Sequence, residues 1–402
     1  MRVVINRLSA VGQRTGIGHY TSQLLRCLRQ QAHGDTIDAF PAGWVVQARA
    51  WSARVRRYVP RTEPAAAETR PSLWAQMRCR AFDHLRWRFD NYVARHCKRY
   101  YQSRSFDLYH EPNFIPFPSD LPTVTTLHDL SVLLHPEWHP ADRVRRFERE
   151  FARALSQSCH FLAISEAGRQ EIIRTLNVPP DKVTRTYMGV RPGLKPLSEA
   201  EVRPVLRRLG LPEQYLLYLG TIEPRKNVLR LMQAYCGLPE AVRRRWPLVL
   251  IGSWGWRTAD IAEYLHTEAR HRGVTYLGYV ADDDVPAVYN GARALVYPSY
   301  YEGFGLPPVE MLACGGAVLA STAAAVAETV GRQAHLIDPE DTDGWRHALL
   351  RVVQDDDWWW SLRRGAVEAV RSFTWEQCAA DTLQVYRLLT GASQGPAWRR
   401  AG

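Results

Sequence analysis

The sequence predicts an α/β protein made of two Rossmann-like domains that face a central cleft, and three observations predict it. The chain has 402 residues, more than a single hydrophobic core usually supports. Short apolar runs alternate with helical stretches, as expected of parallel sheets covered by helices. These runs fall into two series separated by a proline-rich stretch.

The first series is Arg2 to Asn6, Thr36 to Phe40, Asp107 to His110, Thr123 to Leu127, His160 to Ile164 and Val183 to Tyr187. The second is Tyr215 to Leu219, Leu248 to Gly252, Val274 to Leu277, Ala294 to Tyr297, Ala317 to Ala320 and His335 to Ile337. Between them, Gly189 to Pro212 contains Pro192, Pro196, Pro204 and Pro212 and reads as a linker. The expected division is a first domain over 1–190, a linker over 191–212, a second domain over 213–372, a final helix over 373–390 and a tail over 391–402.

The net charge of +11 and a pI near 9.4 suggest a polyanionic partner. Most of the excess sits in an insertion over 51–104, with thirteen basic residues against four acidic ones. Its middle, Pro60 to Pro71, reads as a surface loop. From Ser72 to Tyr101 the pattern turns helical, with Phe82, Leu85, Phe89 and Tyr92 on one face and Trp74, Trp87, Tyr100 and Tyr101 among the arginines. A solvated basic helix pair and a surface for anionic headgroups both fit. A nucleic-acid-binding protein is a rival suggested by charge alone, but no helix-turn-helix, zinc or RNP-type pattern accompanies it.

The seven cysteines are odd in number and form no C-x-x-C pair, so they read as reduced cytosolic thiols. The first residues turn polar too soon for a signal peptide, and no stretch is apolar enough to span a membrane. A cytoplasmic protein, peripheral at the inner face of the plasma membrane through 51–104, is expected.

Glu302-Gly-Phe-Gly-Leu-Pro-Pro-Val-Glu310 follows a strand and runs into a helix through Met311, Leu312 and Ala313. Gly303 and Gly305 let backbone N–H groups approach an anion, and the helix start adds a favourable dipole. Pro307 and Pro308 suit a first helical turn. The two carboxylates can accept from sugar or ribose hydroxyls, although a plain strand-to-helix turn with solvated glutamates has the same spacing. At Tyr218-Leu-Gly-Thr-Ile-Glu-Pro-Arg-Lys-Asn-Val228 a strand ends in Gly220, and Arg225 and Lys226 precede a helix through Leu229, Met232 and Tyr235. Two such cations can neutralise a departing diphosphate; exposed basic residues on a helix turn are the alternative. In Thr15-Gly-Ile-Gly-His-Tyr-Thr21, Gly16 and Gly18 open a helix. Thr125-Thr-Leu-His-Asp-Leu130 ends a strand and points His128 into the cleft, where it is either functional or a satisfied buried histidine; Asp129 orients the loop. Asp282-Asp283-Asp284 reads as a cap and solvated turn, so no metal site is expected.

Taken with Ala313-Cys-Gly-Gly-Ala-Val-Leu-Ala-Ser321, the Glu302 to Glu310 string resembles the E-x7-E pattern of retaining glycosyltransferases of family 4, which have the GT-B architecture. The segments at Tyr218 to Val228, Thr15 to Thr21, Thr125 to Leu130, Ala163 to Gly168, Asp181 to Val183 and Met188 to Val190 are similar to further landmarks of that family. Phe373-Thr-Trp-Glu-Gln377 looks like the start of its final crossover helix. The resemblance covers nearly all of the chain outside 51–104 and the last dozen residues. It implies that Glu310 binds the nucleotide ribose, and that Glu302 and the loop Gly303, Phe304, Gly305 and Leu306 hold the transferred sugar. Arg225 and Lys226 would contact the donor phosphates near Gly220, with His128 beside the sugar and Gly16 and Gly18 lining the donor site. Ser165 and Glu166 would reach the cleft, or Ser165 would cap a helix. The mannosyl and rhamnosyl branch is indicated, with GDP-mannose as donor, retention of configuration, no metal or other cofactor, and a lipid-linked polysaccharide or O-antigen acceptor. A nucleotide-sugar epimerase of the same fold is the rival within the architecture.

Overall fold

The computed structural model describes residues 1–11, 16–41, 95–97, 99–101 and 104–391. Among the described residues twelve strands form two parallel sheets of six. The first holds β1 (Arg2–Asn6), β2 (Thr36–Phe40), β3 (Leu108–Glu111), β4 (Thr123–Leu127), β5 (Ser158–Ala163) and β6 (Val183–Arg185) in the order β2-β1-β3-β4-β5-β6. The second holds β7 (Leu216–Leu219), β8 (Leu248–Ile251), β9 (Val274–Gly278), β10 (Ala294–Tyr297), β11 (Ala317–Ser321) and β12 (His335–Ile337) in the order β12-β11-β10-β7-β8-β9. Each expected strand is present, with ends displaced by a residue or two. Burial of both faces by helices explains the near-continuous apolar runs, as in β8 and β10, whose residues are all buried.

Strand order reverses between β1 and β3 in the first sheet and between β7 and β10 in the second. Loops leaving neighbouring strands in opposite directions open a crevice at their carboxyl ends, where ligands of such folds sit.

The expected linker is not all linker. Residues Glu199–Leu209 form a helix despite Pro204 inside it, with Val202 and Leu206 buried. Ser198 and Glu201 make a capping box at its start, and Gly210, at φ 67°, ends it in the left-handed region. The four prolines hid this element because only Pro204 falls inside it.

The helix Trp375–Leu389 is capped by the Thr374 side chain and packs on the helix Gly16–Gln31 of the first domain. Gln31 donates to the Glu376 carbonyl at 2.9 Å, and the Tyr386 hydroxyl lies 2.5 Å from His110 Nδ1. At the crossing a Cβ on Gly189 would lie 2.3 Å from the Trp375 nitrogen. One core cluster therefore runs from β1 through the second sheet to Tyr386.

The loop and helix expected over Pro60 to Tyr92, and the tail over 392–402, lie outside the described residues. Tyr101, read from sequence as one of the aromatics among the arginines, is core: it is buried against Phe106 and Tyr109. Among the described residues no helix is long and apolar enough to cross a membrane.

Candidate active site

The second sheet's crevice is built from the loops after β7 and β10. The β7 loop runs through Gly220 into a short turn over Pro224–Lys226, and the helix Val228–Cys236 follows. Asn227, at φ 57°, ends that turn, and its side chain donates to the Pro298 and Pro339 carbonyls at 3.1 and 2.7 Å. The Tyr300 N–H donates to the Arg225 carbonyl at 2.8 Å, so the two loops are stitched together. Gly220 has no φ requirement; its backbone abuts Gly252, where a Cβ would lie 1.9 Å from the Gly220 oxygen.

This stitching brings Arg225, Lys226 and Glu302 into one buried cluster. Lys226, 7% exposed, donates to Tyr297 Oη at 2.9 Å and pairs with Glu302. Arg225 donates to Glu302 at 3.2 Å, to the Tyr301 carbonyl at 3.2 Å and to Glu223 at 2.6 Å, with Asp129 of the first domain 3.9 Å away. Burial pushes the Glu302 carboxyl up, but Lys226 and Arg225 outweigh it and hold it below its ordinary value. The cations are thus preorganised by carboxylates, and an entering diphosphate can take over those charge-assisted contacts.

Glu310 belongs to a separate cluster. It is 1% exposed, one turn into the helix Leu306–Ala313, and accepts from Arg191 at 3.2 Å and from Tyr289 Oη at 2.8 Å. Burial raises its carboxyl, and Arg191 and the Tyr289 hydroxyl oppose that rise. Arg191 also donates to Asp282 at 3.1 Å, and Asp284 pairs with Arg208. The aspartate run does form a turn, with Asp283 exposed and Asp284 at the N-cap position of the helix Val285–Gly291; the two ion pairs are what the sequence reading did not include.

Gly305, at φ 86°, is the residue before that helix, a conformation that favours glycine, and a Cβ there would also meet Val326 at 3.0 Å. Leu306 is half-buried at the first helical position. The Phe304 side chain points away into an aromatic junction with Tyr187 and Phe373, so only its backbone faces the loop's other groups. A Cβ on Gly303 would lie 1.8 Å from the His128 carbonyl oxygen, which places the two motifs in contact across the cleft.

His128 is buried, with Nε2 2.8 Å from the Pro112 carbonyl and its ring edge-on to Tyr20 at 4.8 Å. Burial lowers its pKa, so the ring is neutral. Asp129 accepts from the Ser131 backbone and hydroxyl at 2.9 and 2.7 Å while facing Arg225, which combines a loop-orienting role with an electrostatic one. Gly16 and the buried Gly18 open the helix Gly16–Gln31; the preceding residues 12–15 lie outside the described residues. His19, in the same turn, reaches Asp282 at 3.6 Å. Ser165 caps the helix Glu166–Leu176, whereas the Glu166 side chain turns to Arg169 and Gln170 and not to the cleft. Instead, the Glu166 and Ala167 N–H groups donate to Glu328 of the second domain, each at 2.7 Å.

Tyr297, Glu223, Arg191, Tyr289 and Glu328 complete these clusters and were not singled out from sequence. Glu223 and Tyr297 carried a usable signal, each standing beside a motif at a strand's carboxyl end.

Residues 14–194 match the family model described as Glycosyltransferase Family 4, and residues 207–372 match the one described as Glycosyl transferases group 1. The Escherichia coli O-antigen chain mannosyltransferase B is 40% identical over 284 residues, 70% of this chain and 74% of that protein. The serotype-specific mannosyltransferase WbdA of Escherichia coli is 29% identical over 280 residues, 68% of this chain, which spans 34% of that longer protein. Among solved structures, sucrose-phosphate synthase of Thermosynechococcus elongatus superposes with a TM-score of 0.69 at 20% identity, covering 98% of this chain and all of that one. The Anabaena HepE structure in complex with UDP and glucose gives 0.68 at 16% identity, covering 96% and 100%. At those identities the likeness bears on the fold alone, and it is the GT-B fold. With its sequence relatives, its two facing sheets and its matched halves in agreement, the chain belongs to glycosyltransferase family 4 and is a glycosyltransferase.

Proposed function

We propose that the chain is a retaining mannosyltransferase that moves mannose from GDP-mannose to a hydroxyl of a growing, lipid-linked polysaccharide of the O-antigen type. The observation that carries this reading is the Arg225, Lys226 and Glu302 cluster, set at the strand-order reversal and faced by Asp129 and His128. The name of the Escherichia coli relative supports the choice of sugar and acceptor class.

In this reading the bond between the anomeric carbon and the β-phosphate oxygen breaks, and the acceptor oxygen bonds to the same face of that carbon. The acceptor's proton passes to the departing phosphate oxygen, and GDP leaves. Arg225 and Lys226 meet the charge that develops on the diphosphate, which is electrostatic stabilisation aimed at the transition state. Glu302 exchanges its cation contacts for sugar hydroxyls, and Glu310 takes the ribose hydroxyls. The loop Gly303 to Leu306 and the glycines 16, 18 and 220 leave room for the donor. With two cations at the diphosphate, no metal ion and no protein base is required.

The test is GDP release from GDP-mannose with and without an isolated lipid-linked glycan, with the product's anomeric configuration read by NMR. Acceptor-dependent release, retained configuration and insensitivity to EDTA are expected. Inversion, loss of turnover in EDTA restored by manganese, or use of a UDP-sugar in place of GDP-mannose would each overturn the corresponding part. The basic insertion over 51–104 supports docking on an anionic membrane surface at the cytoplasmic face. That part fails if the protein ignores anionic vesicles at low ionic strength.

A further inference from the structure

Arg191 stands at the junction between the domains, next to Val190, whose N–H donates to the Phe373 carbonyl at 2.9 Å. Its guanidinium splits between two carboxylates of the second domain, one on the helix Leu306–Ala313 and one on the turn after β9. Nε donates to Glu310 at 3.2 Å, and Nη1 donates to Asp282 at 3.1 Å. Asp282 in turn accepts from Tyr279 Oη at 3.4 Å and lies 3.6 Å from His19 of the first domain. A continuous set of polar contacts therefore runs from the glycine-opened turn of the first domain to Glu310.

We infer that Arg191 is a positioning residue for nucleotide binding, holding the Glu310 side chain turned so that it can accept from the two ribose hydroxyls. The inference rests on the proposed role of Glu310. Its physical basis is the scarcity of other support around that carboxylate. The groups facing Glu310 are Arg191 from the junction, Tyr289 from the helix Val285–Gly291, Asp282 from the loop after β9, and the Cys314 thiol at the end of its own helix. His19 acts on it only through Asp282. Tyr289 supplies one neutral hydrogen bond, Asp282 is a like charge, and Cys314 is a thiol that burial keeps protonated. Arg191 is the cation among them. A carboxyl buried to this extent without a cation takes up a proton. Once protonated it carries a donor and its hydroxyl oxygen accepts poorly, so with Tyr289 already donating to it the group serves two hydroxyl donors less well.

The sign of the pH effect follows. Without Arg191 the Glu310 carboxyl rises further above its ordinary range, so nucleotide binding fails as pH falls through that raised value and returns as pH rises. Calorimetric titration of GDP and of UDP into the full chain, from mildly acidic to mildly alkaline pH, tests this with four proteins: wild type, Arg191→Gln, Arg191→Lys and Glu310→Gln. Arg191→Gln is expected to bind roughly tenfold to a hundredfold more weakly at neutral pH and to recover toward wild type on the alkaline side. Wild type should lose affinity only at lower pH than Arg191→Gln does. Arg191→Lys keeps a cation but not the two-pronged geometry, and should recover most of the affinity with a pH profile near that of wild type. Equal weakening of Arg191→Gln at every pH, or no weakening, would overturn the inference. So would Arg191→Lys behaving like Arg191→Gln. If Glu310→Gln binds nucleotide like wild type, or neither nucleotide binds wild type, the role proposed for Glu310 falls as well. If Glu310→Gln binds poorly while Arg191→Gln binds normally, only the role of Arg191 falls.

Discussion

Both sheets reverse strand order, yet the two reversals are furnished differently. Between β7 and β10 of the second sheet lie Arg225 and Lys226, each paired with Glu302. Between β1 and β3 of the first sheet the strand ends are Asn6 and Glu111, joined by a hydrogen bond of 2.6 Å. Tyr109 Oη and the Asn113 N–H also donate to Glu111, but burial dominates and pushes its carboxyl up to about 8, so it is protonated at neutral pH. Strand order makes the crevice in each case; the residues at the strand ends decide whether it carries charge. The walls differ in a second way. Across the cleft the first domain offers six backbone groups, the His128, Glu137 and Trp138 carbonyls and the Leu130, Glu166 and Ala167 N–H groups, beside the Asp129, Glu171 and His19 side chains. Side chains from the second domain meet most of the backbone groups, namely Arg257, Trp256, Tyr301 and Glu328.

If the charged reversal carries the chemistry, its cations give the largest effect. Arg225→Met and Lys226→Met are each expected to lower kcat/KM on the order of a hundredfold to a thousandfold, the usual loss for one group aimed at a developing anion. The double variant should fall well short of the product of the two losses, because both cations lean on Glu302 and act as a unit. Steady-state kinetics that left either single variant within a few fold of wild type would break the contrast between the two reversals.

The contact between the walls comes next. At Gly303 an added methyl would strike the His128 carbonyl oxygen, backbone against backbone, and neither can rotate away. Gly303→Ala is expected to keep the domains apart and lower kcat by roughly tenfold or more, since a misplacement of about an ångström is enough to spoil catalytic geometry. Its thermal unfolding should stay near that of wild type. Gly16→Ala is the useful counterpart, because among the described residues nothing lies within 4 Å of a Cβ there. A severalfold rise in donor KM in that variant would assign the space to the nucleotide sugar.

What could be read from sequence follows the same division. Parallel strands buried on both faces leave continuous apolar runs, so the twelve strands were legible, and motifs of nine and eleven residues located Arg225, Lys226, Glu302 and Glu310. Arg191 was not legible because its partner Glu310 lies 119 residues away and nothing local marks either as half of a pair. The partners of the aspartate turn were hidden for the same reason: Arg191 and Arg208 reach Asp282 and Asp284 from the interdomain segment, 91 and 76 residues away. Phe304 sits inside the most informative motif and still sends its side chain to Tyr187 and Phe373, since a loop that presents its backbone to one side must bury its large ring on the other.

The smallest expected effect belongs to Glu328, and it separates wall chemistry from wall shape. Its two carboxylate oxygens take one N–H each from Glu166 and Ala167, at the start of an eleven-residue helix, where the helix dipole also favours negative charge. Glu328→Gln keeps the size of the side chain and one acceptor but presents an N–H₂ group to the second backbone donor and removes the charge. The loss of one charge-assisted contact should weaken closure by about 1 kcal/mol, roughly a fivefold change in the open-to-closed ratio. Donor KM should therefore rise a few fold with kcat nearly unchanged, because the contact lies away from Arg225, Lys226 and Glu302. In the wild type, raising the ionic strength should move KM in the same direction, and the variant should be less sensitive to salt. If kcat falls with KM unchanged, Glu328 acts on the reacting groups themselves, and the pairing of first-wall backbone groups with second-wall side chains does not describe how this cleft closes.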